Sequence, residues 1–489
     1  MNKNTLKKLC ALGLCMVMFV CSLGSCGGDT TTVAADDTTA GTENSTVPAV
    51  TEAVTTYEEA DIPESDFDGA EFRILYPNWS LYNNYYFAEE NTGDVMNDAI
   101  YKRTSDIEER VNVDITTYCP GIITTIVPEV QKTVLAGDDT YSLVLTHCRE
   151  GLLSLLSGGL CYNLHDIPNI DMSKSYWNSE VKNIMDVNGT MIFAANKFII
   201  PDISICYFNK DMAESFSLES PYKLVIDGKW TLDKMYEMAQ VAAADLDGNG
   251  EYTVEDRFGY CGINSSAFIT NPLVAANCEF VRKQSDNTFV LDFDVDRIKS
   301  FSESLLALFN DKQTSYLYDY KQEYDPNIGN KGPTGIYTGR VLFEFNYFCL
   351  TTLYRSVDIS IGIVPIPKYS ESDELVTLTE SGFMCVPAVI SNPDMTGTVM
   401  ELLGAENNKT VMPVFYEQTL NQKLARDEES IAMLELIFDN SRYSLNKILN
   451  LTIAAENLEN VASFYESKKS TWQSYLDQYN DGYANYGTK

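Results

Sequence analysis

The sequence predicts an α/β fold organised as two lobes, and two observations carry that expectation. Strand-like apolar runs alternate with amphipathic helical stretches from about residue 66 to the end, which implies mostly parallel sheets covered by helices. The part of the chain able to fold, roughly 420 residues, exceeds what a single core organises, and no internal repeat is visible. Phe72 to Pro77 (FRILYP) reads as the first strand. Val95 to Val111 carries apolar residues at Val95, Ile100, Ile107 and Val111 with charges between them, the pattern of an amphipathic helix. Tyr141 to Thr146 (YSLVLT) is a second strand, followed by a small-residue helix from about Glu150. Further on come the strand ISICYF, a helix opening after Trp230 with Thr231 as its N-cap and Asp233 in its first turn, and the strands VLFEF and SIGIVPIP. A largely helical end begins near Pro393.

The first 60 residues follow different rules. Lys3, Lys7 and Lys8 precede an apolar run from about Cys10 to Val20, which is too short to span a bilayer and has the layout of a signal peptide, residues 1–25. Leu23-Gly24-Ser25-Cys26 resembles the lipobox of bacterial lipoproteins, which makes Cys26 the expected lipidated residue and lipid anchorage at the extracellular face of the cell membrane the expected location. Residues 26–60 are rich in Thr, Ala and acids with few large apolar side chains, so they read as a flexible tether. Its random-coil reach is about 30 Å. No later apolar run reaches the length of a transmembrane helix.

The full chain has a formal net charge of −35, and removing residues 1–25 takes away three lysines and no acid. Such a surface repels phosphate backbones, and no basic cluster with interleaved aromatics offsets it, so nucleic acid is excluded as a partner. Of the 12 cysteines, Cys10, Cys15 and Cys21 leave with the signal and Cys26 takes the lipid. None of the remainder forms CxxC, and Cys206, Cys349 and Cys385 lie in apolar strand-like runs, where they read as buried thiols. His147 and His165 are the only histidines, which removes most His-based catalysis and clustered transition-metal sites.

Several phrases together resemble the extracellular solute-binding proteins of ABC importers, in their carbohydrate-binding, maltose-binding-like branch (family 1). These are DFDGAEFRIL, NDAIYKRTSDIEERVNVDI, GDDTYSLVL, YFNKDM (Tyr207 to Met212), GKWTLDKMYEMA, GRVLFEF, IGIVPIPKY (Ile361 to Tyr369) and ARDEES (Ala425 to Ser430), in that order over most of residues 66–489. The resemblance implies a type II periplasmic-binding-protein-like fold with two α/β lobes joined by crossing strands. One lobe would comprise 61–202 plus 384–440 and the other 203–383 plus 441–489, with crossings near Ile203 to Phe208 and Gly382 to Pro387. It further implies a monomer that captures a carbohydrate, expected to be an oligosaccharide, in the interlobe cleft without turning it over, and presents it to ABC permease subunits. Closure around the ligand would shift an open-to-closed population.

Sugar rings stack on aromatics and bond planar polar groups. The segment Trp79 to Phe87, with Trp79, Tyr82 and Tyr85, follows the first strand, where α/β folds place ligands. Arg149 follows the next strand, where the resemblance places sugar-contacting polar residues, although Cys148 departs from the acid expected there. Asn346, Tyr347 and Phe348 end the VLFEF strand, where relatives carry an aromatic platform, and Tyr207 lies by the first crossing. Trp230 reads as core.

The segment Asp245 to Asp256 has the spacing of a calcium loop. Asp245, Asp247 and Asn249 fall at positions one, three and five, Gly250 at six, Glu251 at seven through its carbonyl, and Thr253 and Asp256 at nine and twelve. A bound Ca²⁺ would be structural. Two other classes stay open at this level: a glycan-binding adhesin without a transporter, and a glycan-active enzyme using a carboxylate pair. The chain has no GxSxG, HExxH, P-loop or dinucleotide fingerprint.

Overall fold

The computed structural model describes residues 57–78, 86–319, 334–354, 357–420 and 428–487. The signal segment, Cys26 and nearly all of the tether lie outside them. Strands β1 (Ala70–Leu75), β2 (Val113–Tyr118) and β3 (Leu143–His147) open the first sheet. The helix Val95–Val111 joins β1 to β2 and spans the residues its periodicity predicts. Asp94 caps it by accepting from the Met96 and Asn97 backbone N–H groups, each at 3.0 Å. Its buried stripe is Met96, Ile100, Arg103, Ile107 and Val111, so Met96 takes the inward place expected of Val95, which is exposed, and an arginine sits in the apolar face.

Past Ile203 the chain enters a second sheet through β4 (Ser204–Asn209) and β5 (Phe258–Ile263), with a small ribbon of β6 (Val281–Lys283) and β7 (Phe289–Leu291). It continues through β8 (Ser315–Tyr318), β9 (Val341–Tyr347) and β10 (Ile361–Pro365). The return begins at β11 (Thr377–Thr379) and re-enters the first sheet as β12 (Gly382–Cys385), while β13 (Ser441–Tyr443) pairs with β11. The first sheet has the order β12-β3-β1-β2, parallel except where β12 runs against β3. The second has the order β10-β4-β9-β5-β8 and is evenly mixed. The β9-β5 and β5-β8 pairs are parallel, whereas β10-β4 and β4-β9 are antiparallel. The expectation of mostly parallel sheets therefore holds for one lobe only, because the strand that crosses between the lobes enters the second sheet against the direction of its neighbours.

The two crossings lie against each other. Ile203 and Thr379 form an antiparallel bridge, and the Glu380 N–H donates to Asp202 O at 2.8 Å. Trp230 is buried, with its indole N–H donating to Pro365 O at 2.8 Å. Helix Pro393–Glu406 packs on helix Val95–Val111, whereas helix Glu428–Asp439 packs against β10. The long terminal helix Val461–Ala484 touches both lobes. Trp472 stacks on Phe280 at 5.5 Å between centroids, Asn480 binds both the N–H and the carbonyl of Phe289, and Gly482 lies against Leu156. An added Cβ on Gly482 would meet the Leu156 side chain at 2.9 Å, so a larger residue there would make Leu156 shift.

Candidate functional site at the lobe junction

At the carboxyl end of β3 the chain turns through His147, Cys148 and Arg149, beside the crossing segment that carries Glu380. Arg149 Nε lies 3.2 Å from Glu380 Oε2. The other carboxylate oxygen, Oε1, meets Lys447 Nζ from the short helix Leu445–Ile448. Lys447 also donates to Ala267 O. That short helix is fastened to the second lobe by Asn446, which accepts from the Phe280 N–H at 2.7 Å and donates to Cys278 O at 3.2 Å. Glu380 thus holds one cation from the end of β3 and one from the helix fastened beside Cys278 and Phe280.

The cluster is nearly dry: Glu380 and Lys447 side chains are 2% and 1% exposed. Burial pushes the Glu380 carboxyl up, but Lys447 and Arg149 outweigh it and bring it to about 2, so it is ionised. Burial, reinforced by Arg149, pushes His147 down to about 3, which leaves a neutral imidazole. Burial also pushes the Lys447 ammonium down against the pull of Glu380. We assign the pair as ionic, since an unpaired charge at this depth is the costlier state. Arg149 is 24% exposed at its side chain, yet its Nε is buried and off the hydrogen-bond axis of Glu380. Neither of its two outer nitrogens is a buried unpartnered atom, and among the described residues none makes a hydrogen bond to them.

Arg149 is therefore the expected ligand residue that the structure leaves open. Tyr207 is fully buried on β4 and donates its hydroxyl to Tyr347 O at 2.9 Å. Asn346 is buried, with its amide donating to Glu344 at 2.9 Å, and Phe348 packs edge-on to Phe415 and Phe438. Tyr347 lies beside the charged cluster, its ring tilted on Phe268 at 4.9 Å, and its hydroxyl accepts from Asn271 at 3.3 Å. Trp79, Tyr82 and Tyr85 lie outside the described residues. A hollow of about 560 Å³ is lined by Tyr76, Phe87, Glu89, Tyr101 and Thr117. A second cavity, about 350 Å³, lies by Trp177, Lys197, Tyr416 and Thr379.

Glu380 and Lys447 escaped the sequence reading. Each is the lone charge in an otherwise uncharged stretch, Glu380 between Glu374 and Asp394, and Lys447 between Arg442 and Glu456. Two complementary lone charges of this kind were the available signal.

The acidic loop lies at the far end of the second lobe, before β5. Its stem is closed by paired backbone hydrogen bonds between Ala244 and Arg257. Oxygens of Asp245, Asp247 and Asp256 lie within 4.8 Å of one another. Asp245 accepts from the Gly248 and Gly250 N–H groups at 2.7 and 2.6 Å, and Asp256 accepts from Leu246 and Thr253 at 2.9 and 2.7 Å. Those N–H groups hold both carboxyls below their usual range. Asn249 accepts from the Glu251 N–H at 2.6 Å, and Gly248 and Gly250 have φ of 72° and 85°, which favour glycine. All eight cysteines of the folded body are free thiols, seven of them buried. Among the described residues, no helix is long and apolar enough to cross a membrane.

No family model matches the chain, and no curated protein does. Solved structures do. An ABC substrate-binding protein from Listeria monocytogenes in complex with cycloalternan matches at a TM-score of 0.52 and 10% identity, over 85% of this chain and 100% of that one. A cyclo/maltodextrin-binding protein complexed with maltotetraose matches at 0.52 and 14%, over 86% and 97%. UgpB from Mycobacterium tuberculosis in complex with glycerophosphocholine matches at 0.52 and 13%, over 84% and 98%. At these identities the likeness speaks for architecture, and the chain has the two-lobed α/β fold of ABC substrate-binding proteins.

Proposed function

We propose that this protein is the exported, Cys26-lipidated substrate-binding component of an ABC importer, a monomer that captures an oligosaccharide between its lobes and passes it to the permease without altering it. The observation that carries the reading is the pair of crossing segments at Ile203 and Thr379, with an open arginine fork beside them. Two lobes joined this way bend about the crossings, and a ligand that touches both favours the closed form. Arg149 and Tyr347 form the described part of the proposed site, with Trp79, Tyr82 and Tyr85 as its stacking side. Tyr207, Asn346 and Phe348 are left out, because their polar groups or rings are already spent inside the protein.

The test is calorimetry of the mature protein against a glycan panel that includes maltotetraose, with glycerophosphocholine as the non-saccharide control. Saccharide binding with a smaller radius of gyration and no cleavage supports the reading. Cleavage of the glycan, or binding of glycerophosphocholine alone, refutes it.

We propose in addition that the loop Asp245 to Asp256 binds Ca²⁺ as a structural ion. Three carboxylates this close repel one another unless a cation joins them. Millimolar Ca²⁺ then raises the melting temperature by mass action, and Asp245→Ala with Asp247→Ala removes the rise. Identical melting curves in Ca²⁺ and in chelator would sink this.

A further inference from the structure

Arg149 would serve as a ligand fork only if its plane were held still, because an arginine free to rotate loses entropy each time it binds. The protein supplies one fixed point, the ion pair of Glu380 Oε2 with Nε at 3.2 Å, which holds by charge and not by an aligned hydrogen bond, and it leaves Nη1 and Nη2 open. Glu380 is in turn held from the opposite lobe by Lys447, whose ammonium is also donated to Ala267 O. The crossing segment itself is pinned, since the Glu380 N–H donates to Asp202 O at 2.8 Å and the Ser381 hydroxyl accepts from the Asp202 N–H at 2.6 Å. Every contact of the carboxylate therefore passes its orientation to a different part of the molecule.

We propose that Glu380 is the positioning residue of the ligand site: it fixes the guanidinium of Arg149 so that Nη1 and Nη2 present two parallel donors to a ligand with a pair of adjacent oxygens. The shared chemistry is a vicinal diol of a sugar ring or a carboxylate, both of which meet the fork in one plane. Because Lys447 belongs to the other lobe, the arginine is set in the geometry that the two lobes share. Movement of Lys447 away from Glu380 loosens the fork, so recognition and lobe arrangement are read by one carboxylate. This rests on the function proposed above as regards the ligand, but the positioning itself is a property of the free protein.

The single variant Glu380→Gln leaves two buried cations facing an amide and can fail to fold. The informative variant is Glu380→Gln with Lys447→Met, which removes one anion and one cation together. The first measurement needs no ligand: hydrogen exchange at the Arg149 Nε–H, followed by nitrogen NMR and assigned through its loss in Arg149→Lys. We expect exchange faster by roughly tenfold or more in the double variant. An unchanged rate in a folded double variant overturns the proposal.

The second measurement is affinity for maltotetraose and, as a separate arm, for galacturonate oligomers, which distinguishes diol from carboxylate. The double variant should weaken binding roughly tenfold, while the same change in an Arg149→Lys background should weaken it no further. Additive losses would mean that Glu380 acts independently of Arg149, and would also overturn the proposal. If neither saccharide binds the native protein, the functional reading fails, and the exchange measurement still decides whether Glu380 positions Arg149.

Discussion

Among the described residues, two arginines reach into the interior, Arg103 completely and Arg149 in part, and they are held in opposite ways. Arg103, on the buried stripe of helix Val95–Val111, is fully buried with no carboxylate beside it. It donates to Asn407 Oδ1 at 2.9 Å, to Tyr86 O at 2.6 Å and to Thr104 Oγ1 at 3.0 Å, with its guanidinium 4.8 Å from the centre of the Phe198 ring. Burial alone pushes its pKa down, to about 9. Arg149 has a carboxylate at one nitrogen, and its outer nitrogens are open. The first arginine has its outer donors consumed by neutral acceptors and serves packing. The second has its charge balanced and its outer donors left over. The feature that makes Arg149 the candidate for binding is therefore its leftover donors.

The largest expected effect in this comparison is at Glu380. Glu380→Gln alone should destabilise the fold by about 3–5 kcal/mol, the range for breaking one partner out of a buried ion pair, as read by denaturant unfolding. A loss below about 1 kcal/mol would mean that water reaches the cluster. Next comes the contrast between the arginines themselves. Arg103→Met strips buried acceptors of their donors and should cost about 1–3 kcal/mol while leaving ligand affinity unchanged. Arg149→Met should do the reverse, with affinity lost and stability little altered, because Lys447 still pairs with Glu380. Equal effects on both properties in both variants would remove the distinction.

The carboxylates extend the comparison. Glu380, facing two cations, is held at about 2, whereas burial pushes Glu180 and Glu279 up to about 7. Glu180 faces the Tyr443 N–H with Arg442 further off, and Glu279 faces the Ser444 hydroxyl, the Asn446 N–H and Glu180 itself. Their folded values lie above the ordinary 4.5, so the stability they contribute is complete below about 4.5 and is lost as pH rises through about 7. Melting temperature measured across that window should fall with rising pH, and Glu180→Gln should flatten the slope. The smallest effect is at Asp94, whose carboxylate is held only by backbone N–H groups. Asp94→Ala should cost about 1 kcal/mol, and Asp94→Asn much less.

What the sequence revealed follows the range over which each signal acts. The helix Val95–Val111 was legible to the residue because its period, its cap at Asp94 and its left-handed Asn112 are all local. Strands β1, β3, β4, β9 and β10 were legible as apolar runs for the same reason. Strand direction was not, since β4 runs against β9 through pairing across some 140 positions, as between Ser204 and Tyr347. At the proposed site, Arg149 was marked by its place after a strand. Glu380 and Lys447 were harder, because their meaning lies in meeting each other, and the only local sign of each is its isolation in an uncharged stretch. The aromatics Tyr207 and Phe348 misled for the converse reason: the residue types that stack on sugars are also those that fill cores.

The terminal helix bears on the order in which the molecule can be finished. Residues that complete the body arrive last, and Val461–Ala484 covers Leu156 in one lobe and Phe280 in the other. A chain that emerges from its amino end would hold both lobes unfinished until this helix follows, with Leu156, Phe280 and Phe289 uncovered in the meantime. Truncation after Asn460 should therefore make both lobes, and not only the one nearer the cut, sensitive to limited proteolysis. In this fold the carboxyl end acts as the closing stitch of assembly.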